Sequence, residues 1–222
     1  DPDGASDHLS DEMTLFISPT FVGAPNTANI VLNGGTFNGD VYVYDDGITE
    51  TVFMDIDEEK LFIYGKIAKK ISELIDPELK FSLTTDSVEA LTDADFVITT
   101  IRAEGDKGRV FDERTALNLG VLGQETTGAG GFAMALRSIH TLLDYCEQVK
   151  KYSKKNAPVF NFTNPSGLVT QALRTMGYSN TYGVCDAPSG FLRQLKEMTG
   201  EKALNFECFG LNHLSWFTDF KV

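Results

Sequence analysis

From Thr51 onward, apolar positions along the chain switch between two spacings. Short apolar runs, the mark of buried strands, alternate with longer stretches in which apolar residues recur every three or four positions, the mark of helices. ThrValPheMetAspIleAsp (51–57) reads as a buried strand that ends in acids. In Glu58 to Ile75, the residues Ile67, Ile71, Leu74 and Ile75 fall at i, i+4, i+7 and i+8 and predict one apolar helix face. Phe81 to Thr84 reads as a short strand, and Asp86 with Glu89 is a capping-box-like start for a brief helix through Leu91. AspPheValIleThrThrIle (95–101) is nearly continuous apolar, as a strand covered on both faces should be. Phe132 to Lys151 carries a helical period through Ala135, Ile139, Leu142, Leu143 and Cys146, with lysines at its end that suit a helix C-terminus. ValPheAsnPheThr (159–163) predicts a strand, and the next helix opens with Pro165 in its first turn. A strand over 181–185, a helix from Ser189 to Met198, and strands over Leu204 to Phe209 and Leu214 to Val222 complete the series.

Strands interleaved with helices predict an α/β fold: a doubly wound, Rossmann-like parallel sheet with helices on both faces. Ligands in such folds bind outside the carboxyl ends of the strands. Asp55, Arg102, Asn164, Cys185, and then Asn212 with His213, all fall at successive strand ends and suggest one cleft. The first 50 residues fit this scheme less well. A dinucleotide fold opens with a strand, a GxGxxG-like turn and a helix, and reaches a ribose-binding acid about 20 positions later. Asp55 is well placed as that acid, yet no GxGxxG precedes it. Gly34, Gly35 and Gly39 are candidates by distance, although ValTyrValTyr, AspAspGly and IleThrGluThrValPhe behind them read as a hairpin. Gly23-Ala-Pro-Asn-Thr, with a short helix from about Pro25 and the apolar Ile30, Val31 and Leu32 behind it, is the other candidate. A nonstandard opening is a third reading, and the three stand open.

Charge divides the chain. Before Lys60 there are 13 acidic residues and no Lys or Arg, and from Lys60 onward there are 19 of each sign. Residues 1–12 read as an acidic tail, 13–200 as the nucleotide-binding domain and 201–222 as the start of a catalytic domain. The balanced remainder gives no basis for nucleic-acid binding or for docking on anionic lipid. No apolar run approaches the roughly 18 residues of a membrane span, and no secretory signal is visible, so a cytoplasmic location is expected. Three cysteines, Cys146, Cys185 and Cys208, without CxxC spacing argue against a disulfide framework or a structural zinc knuckle.

The densest chemical signal is GlyGlnGluThrThrGlyAlaGlyGly (123–131) ahead of a helix, where glycines allow a tight loop whose backbone amides point at a ligand. Standing alone it would read as a flexible surface loop. AsnPheThrAsnProSerGly (161–167), GlyValCysAspAlaPro (183–188) and GlyLeuAsnHisLeuSerTrp (210–216) follow in order. With AspAlaAspPheValIleThrThrIleArg (93–102) and AspGluArg (112–114), these motifs resemble family-4 glycoside hydrolases, NAD- and metal-dependent glycosidases related in fold to lactate and malate dehydrogenases. The resemblance runs from about Val52 to Val222 and fails in residues 1–50, where the family's glycine-rich nucleotide loop is not recognisable.

The resemblance implies a catalytic divalent metal, usually manganese, held by Cys185 and His213, with Asp55 as the ribose-binding acid. It implies that Arg102, Glu125, Asn164 and Asn212 line the sugar and cofactor cleft. Asp186 matches the acid of members that cleave alpha-linked phosphorylated sugars, and its position also permits a plain helix N-cap. Cys146 and Cys208 read as packing residues, and His140 as a helix-surface histidine. The implied substrate is a phosphorylated disaccharide or other glycoside. The implied reaction oxidises sugar carbon 3 with NAD, removes the carbon-2 proton, eliminates the glycosidic oxygen, adds water and reduces the ketone, a route outside the usual two-carboxylate scheme. Family members are about twice as long, and the family places its tyrosine base and main phosphate-binding arginine beyond these residues. Isolated, the 222 residues are therefore expected to be inactive, and the full-length protein is expected to form a homo-oligomer. Two rival readings are an NAD-dependent hydroxy-acid dehydrogenase, which would need a histidine paired with an aspartate, and a non-catalytic nucleotide-binding fragment.

Overall fold

The computed structural model describes residues 15–17, 28–33, 41–43, 48–201 and 204–221. Its centre is a six-stranded sheet, all parallel, built from β2 (Ala28–Asn33), β4 (Ile48–Met54), β5 (Lys80–Thr84), β6 (Phe96–Thr99), β7 (Val159–Asn161) and β8 (Thr181–Gly183). The spatial order β5-β4-β2-β6-β7-β8 is the 3-2-1-4-5-6 order of the dinucleotide-binding fold. Val31 registers against Val52 on one side and Val97 on the other, so β2 is the central strand from which both halves wind. Two separate two-stranded sheets accompany it: β1 (Leu15–Ile17) parallel to β3 (Val41–Val43), and β9 (Asn205–Leu211) antiparallel to β10 (Leu214–Lys221).

This arrangement corrects the opening of the chain. Residues 41–53 do not form a hairpin, because β3 pairs with β1 while β4 pairs in parallel with β2 and β5. The apolar Ile30, Val31 and Leu32 form a strand rather than backing a helix, so Gly23 lies before the first nucleotide-fold strand. Gly34 and Gly35 follow β2 directly, where this topology carries its nucleotide loop. They, the acidic tail and the segment from Gly23 to Thr27 lie outside the described residues.

Six helices connect the described strands: α1 (Glu58–Ile75), α2 (Ser87–Leu91), α3 (Gly105–Asn118), α4 (Gly128–Tyr152), α5 (Ser166–Thr175) and α6 (Ala187–Thr199). Asp57 caps α1 by accepting from Lys60 N–H at 3.0 Å, and Asp86 caps α2 by accepting from Val88 N–H at 2.8 Å. The apolar face read from Ile67, Ile71, Leu74 and Ile75 is not the face that docks. Buried Gly65, with half-buried Leu61, Ala68 and Ser72, meets the sheet, and Leu74 is 85% exposed. A Cβ on Gly65 would sit 2.5 Å from Leu83, so a small-residue stripe sets how closely α1 lies on β5.

α4 is the central helix of the core. Val149 joins Val52, Met54, Leu91, Val97 and Val159 in one apolar cluster, and Ala135, Leu142 and Cys146 join Val169 and Leu173 in another. Wholly buried Asn161 stitches the strand ends together. Its Oδ1 accepts from Thr99 Oγ1 at 3.1 Å and Thr163 N–H at 3.2 Å, and its Nδ2 donates to Thr170 Oγ1 at 3.1 Å. A buried amide with its capacity filled in this way fixes β6, β7 and α5 relative to one another.

Candidate functional site

The polar residues gather where the parallel strands end. Cys185 and Asp186 follow β8 at the entry to α6, and Asn212 and His213 form the two-residue turn between β9 and β10. Cys185 Sγ lies 3.5 Å from His213 Nε2 and 3.9 Å from Asp186 Oδ1. His213 adopts a left-handed backbone, φ 57°, between Leu211 and Leu214, which register against each other across the hairpin. The turn therefore lifts the imidazole out of the strand pair and towards the end of β8. Asn212 anchors the same turn: its Oδ1 accepts from Ser166 N–H at 3.2 Å, and its side chain also hydrogen-bonds Cys185. Ser166 follows the cis Asn164–Pro165 peptide, and its hydroxyl donates to Asn161 O at 3.1 Å. Pro165 occupies the cap position of α5, one residue before its first turn.

The GlyGlnGluThr loop supplies the other wall, and three consecutive side chains reach three different places. Gln124 Oε1 accepts from Thr127 N–H at 2.6 Å and closes the loop on itself. Glu125 pairs with Arg102, whose Nε also lies 3.6 Å from Asp106. Buried Thr126 places its Oγ1 2.9 Å from His213 Nδ1. The glycines at the start of α4 serve this packing. A Cβ would meet Gln124 O at 2.6 Å on Gly130 and Thr126 O at 2.2 Å on Gly131, so the loop's own carbonyls press against the first helical turn. That turn holds the loop in place.

Burial pushes the Cys185 thiol up from its ordinary range. The neighbouring Asp186 charge adds to this, while hydrogen bonds from Ala187 N–H, Asn212 and Asp186 N–H pull it back. Asp186 occupies the N-cap position of α6, but its carboxylate makes no capping hydrogen bond and turns to Cys185 instead. Asp55 directly follows β4, half-buried, and accepts from Asp57 N–H at 2.9 Å. It stands at the strand-2 end of the sheet, apart from the Cys185–His213 pair, as a nucleotide-binding acid does in this topology. Asn164 is half-buried beside α5, and Arg102 is held by its carboxylates. Among the described residues no group of three or more His, Cys, Asp and Glu is arranged to hold a metal ion, so the protein ligands here would be the pair alone.

Two features escaped the sequence reading. Thr126 lies inside a quoted motif, and its signal was the unbroken polar triplet Gln-Glu-Thr between glycines. α3 was missed entirely. Its buried positions are Gly108, Asp112 and Ala116, at i, i+4 and i+8, so its inward stripe carries small and charged residues rather than apolar ones. Asp112 pairs with Arg137 of α4, whose Nε also lies 3.4 Å from Glu104.

The family profile for Family 4 glycosyl hydrolase matches residues 35–201. A 6-phospho-alpha-glucosidase of Lacticaseibacillus paracasei is 39% identical over 171 residues, covering 75% of this chain and 38% of that protein. A 6-phospho-beta-glucosidase of Thermotoga maritima is 39% identical over 175 residues, covering 78% of this chain and 41% of that protein. A crystal structure of the Thermotoga maritima 6-phospho-beta-glucosidase with manganese, NAD+ and glucose-6-phosphate superposes with a TM-score of 0.77 at 33% identity, covering 88% of this chain and 49% of that one. The chain thus spans about two fifths of the length of the curated relatives it matches. The profile match over most of the chain, the strand order and the order of the site motifs agree: this chain belongs to family 4 of the glycosyl hydrolases.

Proposed function

We propose that these residues bind NAD and a divalent metal, manganese foremost, and act in the hydrolysis of a 6-phosphoglycoside. The observation that carries the reading is the 3.5 Å approach of Cys185 Sγ to His213 Nε2 at the carboxyl ends of the strands. A thiolate and an imidazole are good ligands for first-row metals. With bonds of about 2.3 and 2.1 Å and angles of about 90–109°, two such donors sit roughly 3.1–3.6 Å apart. The donor pair therefore fits a metal as it stands, and two protein ligands leave positions for substrate hydroxyls. NAD and manganese are both present in the related Thermotoga maritima complex.

When bound, NAD would supply reversible hydride transfer at sugar carbon 3, and a metal held by Cys185 and His213 would supply polarisation of the neighbouring sugar oxygens. The chain's own residues bind and orient. Asp55 accepts from the ribose hydroxyls, and Gly34 and Gly35 let the backbone approach the pyrophosphate. Arg102, held by Glu125, lines the sugar side of the cleft together with Asn164 and Asn212. Asp186, freed from capping, is the acid for the departing glycosidic oxygen and supports alpha-linked substrates; overall identity does not separate linkages, since alpha and beta relatives are equally similar. In this reading residues 13–200 are the nucleotide domain after an acidic tail over 1–12, and 201–222 begin the part that carries the carbon-2 base. That base and the phosphate-binding arginine come from outside these residues, so this chain alone turns over no glycoside. The partner in this reading is a small phosphorylated sugar, handled in the cytoplasm. Among the described residues no helix is long and apolar enough to cross a membrane. Assembly into a homo-oligomer when full length belongs to the same proposal.

The dehydrogenase alternative needs a carboxylate on the far nitrogen of its histidine, and His213 Nδ1 meets Thr126 there. Two measurements test the proposal. Manganese added to the reduced chain should raise its melting temperature, as a ligand of the folded state must. Cys185→Ala or His213→Ala should abolish the rise, and Cys146→Ala should keep it; equal behaviour of the three variants overturns the metal assignment. In a chain carrying these residues together with the base, hydrolysis in heavy water should place deuterium at carbon 2 of the product without net NADH. Deuterium-free product would rule out oxidation and elimination.

A further inference from the structure

The ligand pair is only as good as the orientation of its imidazole, and the groups that set it are in view. His213 stands on a turn, half outside the hairpin, with its ring spanning two partners: Nε2 faces Cys185 Sγ at 3.5 Å, and Nδ1 faces Thr126 Oγ1 at 2.9 Å. Thr126 is buried, and its backbone carbonyl is clamped against Gly131 so closely that a Cβ there would lie 2.2 Å from it. Its neighbours fix the loop on either side: Glu125 holds Arg102, and Gln124 holds Thr127. Through the Thr126 hydroxyl this held loop reaches the histidine.

We propose that Thr126 is the positioning residue of the site: its Oγ1 accepts the Nδ1–H of His213, which fixes the tautomer that leaves Nε2 unprotonated beside Cys185 and fixes the plane of the ring. This rests on the metal reading above and deepens it. A neutral imidazole carries one proton, so whichever nitrogen is held as the donor decides which is left as the ligand. Partners of this kind around metal-binding histidines typically change affinity 10- to 100-fold. Here the partner is a neutral hydroxyl from a different segment of the chain, so the loop that carries Glu125 and the turn that carries His213 are tied to one another by this hydrogen bond. Displacing the loop would disturb the Arg102 pair and the ligand geometry together.

The test compares Thr126→Val, which keeps the shape and removes the hydroxyl, with Thr126→Ser, which keeps the hydroxyl. Nitrogen-15 spectra of the metal-free chain read the His213 tautomer directly, with the His213→Ala spectrum assigning the signal. Titration with manganese alone reads the affinity. The parent and Thr126→Ser should show the Nδ1–H tautomer and affinities within about threefold, whereas Thr126→Val should mix tautomers and bind about 10- to 100-fold more weakly. Unchanged tautomer and affinity in Thr126→Val overturns the proposal. An Nε2–H tautomer in the parent overturns it as well, a result that needs no variant to fold. If the parent binds no manganese, the metal reading fails by itself, and the tautomer comparison still decides the role of Thr126.

Discussion

Three cysteines in one chain meet three different fates, and the difference lies in their neighbours. Cys146 is buried among Ala135, Leu142, Val169 and Leu173, which pushes its thiol up to about 11. Cys208 is exposed on β9, and Cys185 is half-buried beside a histidine. The helical apolar period of Cys146 agrees with its burial, whereas the reading of Cys208 as a packing residue is corrected, because its strand position leaves it exposed. What the sequence could not supply was the partner of Thr126: the polar triplet marks the residue, but a contact spanning 87 positions leaves no local trace of where it reaches. The shift of Cys146 has a consequence for stability. The unfolded thiol ionises near 9.0 and the folded one near 11, so between those values the unfolded state binds fewer protons and stability falls as pH rises. Tyr178, raised to about 12 by its bond to Glu147, adds its own loss at higher pH, so the useful window is roughly pH 8 to 10. Denaturant titrations there should show the parent losing about 1–1.5 kcal/mol. Cys146→Ala, less stable throughout because of the cavity it leaves, should show a flatter slope. Parallel curves would mean that Cys146 does not titrate as its burial requires.

Among the elements, those with large apolar side chains at regular spacing were legible, and those whose inward faces are small or charged were not. α4 follows its period. α3 turns Gly108, Asp112 and Ala116 inward, and α1 docks through Gly65, so in both cases a reading of large apolar residues picks out the wrong face or none. The same close approach by glycine governs the start of α4. Gly131→Ala should drive a methyl into the Thr126 carbonyl, costing about 1–3 kcal/mol by overpacking and removing most of the manganese-induced rise in melting temperature through the displaced Thr126. Gly190→Ala is its control. Position 190 lies inside α6 with nothing within 4 Å of a new Cβ, so alanine there should add about 0.5–1 kcal/mol and leave the manganese response intact. Equal effects of the two substitutions on the response would sever the link between the helix start and the ligand.

At the scale of the whole molecule, the sheet order carries information that no local pattern holds. Apolar runs announce strands but not their neighbours, and the parallel placement of β4 between β2 and β5 emerges only from the fold. That placement changes the meaning of residues 34–47, which pass between two adjacent parallel strands and contain β3 paired with β1. In a dinucleotide fold this crossover holds the phosphate loop and its helix. Asp55, by contrast, stands where the ribose acid belongs, at the end of the second strand of the order. It is half-buried and accepts one backbone hydrogen bond, from Asp57. Nucleotide binding therefore separates the two parts of the site. If the crossover binds pyrophosphate with Gly34 and Gly35, the chain should bind NAD by calorimetry. Asp55→Ala should then lose about 1.5–3 kcal/mol, roughly 10- to 150-fold, as expected for hydrogen bonds to a charged group. Manganese should still raise the melting temperature of that variant, because Cys185 and His213 lie at the other half of the sheet. Undiminished NAD affinity in Asp55→Ala would remove the ribose assignment, and no binding by the parent would show that this crossover does not build a nucleotide site.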